Sequence, residues 1–125
     1  MTSRITDIWF RTALPLAELA RRLELRGVTD DVENVWEWMS GTLDGVPLNI
    51  TRMHVPPAAL AETRIFIPEG NEFPAALLDQ LIGRLRTIIA GPVVCGRWEH
   101  RTGNEFDLII VKEFKAARRS NGSER

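Results

Sequence analysis

The polar and apolar positions of this chain change period several times, and each period predicts an element. Residues 6–12 (TDIWFRT) alternate, with Ile8 and Phe10 on one side and Trp9 on the other, which is the period-two signature of a strand. Pro15 follows and suits the first turn of a helix, because it has no N–H to lose there. Leu16, Leu19, Ala20 and Leu23 then recur at helical spacing with Arg21 and Arg22 facing away, so a short amphipathic helix is predicted, ending at Gly27. Residues 34–55 predict two strands about a turn at Asp44-Gly45, since both residues tolerate positive φ. Val35, Met39 and Leu43 fall on one face of the first of these strands and Trp36 and Trp38 on the other. Leu48 and Ile50 alternate with Asn49 and Thr51 in the second.

Pro56-Pro57 opens a loop that runs through Glu62, and residues 63–67 (TRIFI) form a further short strand stopped by Pro68 and Gly70. A wide apolar stripe of Leu77, Leu78, Leu81, Ile82, Leu85, Ile88 and Ile89 predicts a second helix. It starts between Asn71 and Pro74 and ends at Gly91-Pro92. Residues 93–99 and 105–114 are strand-like about residues 101–104, a second hairpin. The order β-α-β-β-β-α-β-β is that of an α+β fold. The expectation is a largely antiparallel sheet of about six strands with two helices on one face, its other face largely open to solvent.

Composition adds limits to this picture. A 125-residue chain, 44% hydrophobic and 26% charged, is one globular domain's worth. That domain is expected over residues 1–114, with residues 115–125 as a disordered basic tail. The formal charge of −1 divides unevenly: Lys115, Arg118, Arg119 and Arg125 against Glu124 give the tail +3, which leaves −4 on the body. An acidic body does not attract nucleic acid. The single Cys95 excludes an internal disulfide and any multi-cysteine zinc site. With no stretch apolar enough to cross a membrane and no secretory signal at the N-terminus, the expected location is cytoplasmic, without membrane association.

Candidate chemistry is sparse. His54 and His100 sit alone on separate predicted strands, without the converging ligands a metal site needs. Cys95 lies in an apolar strand, where a core thiol is expected rather than a nucleophile. Asp30, Asp31, Glu33 and Glu37 cluster about the entry to the second strand, and Glu99, Glu105 and Asp107 about the second hairpin. Nothing in the spacing brings two of them into a cleft. Gly41, Gly45 and Gly70 have turn contexts and form no phosphate loop. No catalytic residue, metal or cofactor is therefore predicted. The unusual feature is four tryptophans with no tyrosine: Trp9, Trp36, Trp38 and Trp98 all fall on predicted strands, some on the face without helices. Tryptophan and arginine are enriched at interface hot spots, but tryptophans also pack against one another across strands.

The segments DDVENVWEWMSGTLDGVPLNITRMH (30–54) and VVCGRWEHRTGNEFDLIIVKEF (93–114) resemble the strand pairs of small bacterial immunity proteins that accompany polymorphic or contact-dependent toxins. The likeness lies in the short chain, acidic body and aromatic-rich hairpins. It implies a cytosolic protein that binds and blocks one cognate toxin domain by occlusion. On that reading the partner-binding residues are Asp30, Asp31, Glu33, Trp36, Glu37, Trp38, Trp98 and Glu99, with acidic groups complementing a basic surface and tryptophans as anchors. The alternative is a small-molecule-binding domain or small enzyme, with a pocket between sheet and helices lined by tryptophan and arginine.

Overall fold

The computed structural model describes residues 3–33, 36–53, 61–103 and 105–115. Val35, His54, the Pro56-Pro57 loop and all but the first residue of the basic tail lie outside the described residues. The chain begins with strand β1, Asp7–Phe10, whose four residues are all buried. Helix α1, Leu16–Arg22, starts after Pro15 and buries Leu16, Leu19 and Ala20. Glu18 pairs on the solvent side with Arg21 and Arg22. The helix stops at Leu23 rather than at Gly27, because Glu24 turns the chain at φ 63°.

Gly27 belongs instead to strand β2, Arg26–Glu33, which residue pattern alone did not predict. Its φ of 61° accompanies a bulge between Arg26 and Thr29, a use for which glycine is the favoured residue. Strands β3, Trp36–Leu43, and β4, Val46–Met53, form the expected hairpin. Asp44 at φ 51° and Gly45 at φ 78° make its two-residue turn, as type I′ geometry requires. Gly41 is no turn residue, contrary to expectation: it lies within β3, and a Cβ there would sit 3.0 Å from the Arg26 carbonyl oxygen and 3.1 Å from Leu25 Cβ. It lets the link between α1 and β2 cross closely over the sheet.

Strand β5 is Thr63–Phe66, helix α2 is Ala75–Ile88, and strands β6, Val93–His100, and β7, Phe106–Phe114, close the fold. The sheet therefore has seven strands, all antiparallel to their neighbours, in the order β2-β3-β4-β5-β1-β6-β7. The α+β class and largely antiparallel sheet agree with expectation, and β2 is the added strand. Both helices lie on one face. Ile8 and Phe10 of β1, Met39, Leu43, Leu48, Ile50, Ile65, Val93 and Cys95 share a single buried cluster with Leu19, Leu23, Leu77, Leu81 and Leu85. Among the described residues no helix is long and apolar enough to cross a membrane.

Candidate functional site

The other sheet face carries the tryptophans. Successive registers set Trp38 opposite Thr51, Thr51 opposite Arg64, Arg64 opposite Trp9 and Trp9 opposite Val94, a transverse row from β3 to β6. The middle of this row is closed. Asp7 is 1% exposed and ion-paired to Arg64, and it also accepts a hydrogen bond from the Thr6 hydroxyl. The Arg64 guanidinium lies 3.9 Å from the Phe66 ring centroid and 5.4 Å from that of Trp9. Trp9 is 5% exposed. It is a packing residue, and its Nε1 is buried without a hydrogen-bond partner. The sequence did not reveal this pair, because its members stand 57 residues apart.

The eight residues expected to bind a partner fall into two groups. Asp30 pairs opposite Met39, Asp31 opposite Trp38 and Glu33 opposite Trp36, so these acidic residues form an edge strand rather than the approach to one. Glu37 is on β3, half-buried. It lines an open cleft of about 200 Å³ with Asp30, Trp38, Met39 and the first residues of α1, Leu16 and Ala17. Trp38 is 49% exposed and also borders a second open cleft with Thr29, Asp30 and Ser40.

Trp98 and Glu99 lie at the opposite end of the sheet, on β6. Four strand spacings separate β3 from β6, roughly 19 Å at the usual spacing. Glu99 is bound by Arg97 of its own strand, so its charge is already answered. Trp98 has different neighbours from those the sequence suggested. It pairs opposite Leu108, next to Phe106 and Ile110 on the same strand. Leu108 approaches within 3.4 Å of where a Gly96 Cβ would stand, which fixes its side on the face away from the helices. Exposures of 42% for Trp98, 57% for Phe106 and 48% for Ile110 make one apolar patch. Sequence reading missed Phe106, Leu108 and Ile110, although their period-two spacing with Trp98's strand was visible. From Arg97 to Lys115 no described residue is buried, so the end of the β6–β7 hairpin stands off the core. Two-stranded ribbons are marginal alone. This one is braced by the Arg101–Asp107 ion pair and by the His100 ring, edge-on to Phe106 at 5.2 Å.

The remaining candidate groups are accounted for locally. His100 Nε2 contacts the Gly103 carbonyl oxygen at 2.6 Å. Cys95 is buried, and desolvation pushes its thiol up to about 12, away from thiolate chemistry. Among the described residues no group of His, Cys, Asp and Glu side chains is arranged to hold a metal ion. Comparison with known proteins found no matching family model, no matching curated protein and no matching solved structure.

Proposed function

We propose that this chain is a non-catalytic protein-binding module, and that its main contact is the apolar face of the β6–β7 hairpin. The observation that carries this reading is the grouping of Trp98, Phe106 and Ile110, each more than two-fifths exposed, on one side of a hairpin that stands off the core. Contiguous apolar surface rimmed by charged residues is the usual mark of a protein interface. The charges next to it along the strands, Arg97 with Glu99 and Arg101 with Asp107, are matched in pairs, and Arg97, Glu99 and Asp107 alternate with the patch residues onto the other face of the hairpin. The acidic edge with Asp30, Asp31 and Glu33 is a second, separate contact region on the opposite side of the sheet.

The resemblance noted above gives this reading its most specific form, an immunity protein that occludes a cognate bacterial toxin in the cytoplasm. The test is co-expression with the product of the neighbouring gene, followed by calorimetry on the purified pair. Trp98→Ala should weaken binding by at least tenfold, the size of a hot-spot loss. Lysine at Asp30, Asp31 and Glu33 should slow association of a basic partner. No complex, or a complex untouched by both variants, would refute the assignment of these surfaces.

A further inference from the structure

We infer that the outer part of the β6–β7 hairpin, residues 97–100 and 106–110, is a ribbon that unzips by itself from a joint at Gly96 while the rest of the sheet stays closed, and that a protein partner binds only its zipped form. The opening follows from the fold. Its coupling to a partner rests on the protein-binding reading and deepens it. The apolar patch is divided between the two strands, with Trp98 on β6 and Phe106, Leu108 and Ile110 on β7. It therefore exists only while those strands are paired.

The base of the hairpin is tied down on both strands. On β6, Val93 and Cys95 are buried in the core, and the strand pairs along β1 from Val93 to Gly96. On β7, Phe114 packs against the same core, and the Arg86 guanidinium of α2 lies 5.3 Å from its ring centroid. Gly96 marks the end of this support. It stands opposite Asp7, the first residue of β1. Its carbonyl oxygen accepts a hydrogen bond from the Thr6 N–H at 2.9 Å. Beyond Gly96, β7 is the one strand that pairs with β6 among the described residues.

The joint is built to bend. Lys112 pairs opposite Cys95 and Ile110 opposite Gly96, so Val111 is an extra residue on β7. Such a bulge interrupts the ladder and bends its strand. Gly96 sets no side chain across the break, and its close approach to the Ile109 carbonyl oxygen leaves no room for one. Past the joint the contacts are internal. Arg97 bonds to Glu99, His100 contacts Gly103, Arg101 bonds to Asp107 and Thr102 to Glu105. The turn bonds join Arg101 with Glu105 and Glu105 with Thr102. Among the described residues none of these contacts leaves the ribbon. Exposed ion pairs hold such a unit weakly, and segments with few buried contacts open locally while the core stays folded. A partner that needs Trp98 and Phe106 together binds the zipped state alone, and so shifts the zipping equilibrium toward it.

Hydrogen exchange of backbone amides in the full chain tests the opening without any partner. Paired amides of the ribbon should exchange at least about a hundredfold faster than those of β1 and β5. They should also depend less on added denaturant, because unzipping exposes less surface than global unfolding. Equal protection and equal denaturant dependence in ribbon and core would overturn the inference. A staple gives a second measurement. Glu99 pairs directly opposite Asp107, so the double variant Glu99→Cys with Asp107→Cys places two thiols where a disulfide fits. Oxidation should slow the ribbon amides at least tenfold relative to the reduced form of the same variant. No difference between the two forms means that these amides do not exchange by unzipping. The coupling is read in the complex with the neighbouring gene's product. Ribbon amides should there slow by the same factor as the core amides, since the partner stabilises the zipped state against every open one. Ribbon amides that keep their free-chain rates while core amides slow would overturn the coupling, with the protein-binding reading left standing. If no complex forms, that reading falls and the coupling with it, while the exchange pattern of the free chain still decides the opening.

Discussion

Replacing Arg64 by methionine should be among the most damaging single changes outside the helix-side core. The substitution keeps a long apolar stem but removes the only ion-pair partner found for Asp7 among the described residues, and Asp7 is 1% exposed. A buried carboxylate left without its partner typically costs about 3–5 kcal/mol. The stacking of the guanidinium on Phe66 and Trp9 adds about 0.5–1 kcal/mol, but Arg64 is itself a quarter exposed, so the lower half of the combined range is expected. A domain of this size is stable by about 5–15 kcal/mol, so the loss is a sizeable fraction. The double variant Asp7→Asn with Arg64→Met removes the stranded charge, and its amide can still bond to the Thr6 hydroxyl. It should sit about 1–2 kcal/mol below the parent, the usual deficit of a buried polar group with incomplete partners. Urea unfolding followed by tryptophan fluorescence gives both numbers, provided the slope with denaturant is unchanged. A loss below about 1 kcal/mol for Arg64→Met, or a double variant less stable than the single, would refute the view that burial of Asp7 makes this pair matter.

Three further outcomes follow from the packing. Leu81→Ala should cost about 2–5 kcal/mol by urea unfolding, since Leu81 is fully buried on the stripe of α2. Gly96→Ala should cost about 1–3 kcal/mol, because the new Cβ would meet the Ile109 carbonyl oxygen at 2.6 Å, and hydrogen exchange should speed up first in the β6–β7 hairpin. Cys95 should resist thiol reagents at pH 8 until the protein unfolds. Its folded thiol is raised to about 12 by burial, so it contributes stability below the unfolded thiol's pKa of about 8.5. That contribution is lost as pH rises through this window, and a Cys95→Ala variant should show a flatter decline there.

The parts of the fold legible in the sequence are those made by neighbouring residues. The Asp44-Gly45 turn, the α2 stripe and the two hairpins rest on local spacing, and each has the element expected of it. Strand β2 was not legible for a physical reason. Its eight residues, RGVTDDVE, hold only two valines as apolar positions, and they become a strand by pairing along β3 at the edge of the sheet. Tertiary context of that kind overrides local propensity. The position of β1 between β5 and β6 is also non-local, and the Asp7–Arg64 pair depends on it.

The same distinction governs the candidate site. Period-two alternation separated Trp9 from Ile8 and Phe10, and Trp38 from Met39 and Leu43, but alternation says nothing of where a strand stands in the sheet. Trp9 lies on a central strand, with Arg64 and Phe66 on one neighbour and Val94 on the other, and is closed off. Trp38 and Trp98 lie toward the two ends of the sheet and are exposed. A tryptophan's value as a contact residue here is therefore decided by strand order. That order also divides the expected acidic and aromatic residues between β2–β3 and β6–β7. It places Trp98 beside Phe106 and Ile110 on the hairpin that ends the sheet, where all three stay exposed as one apolar patch.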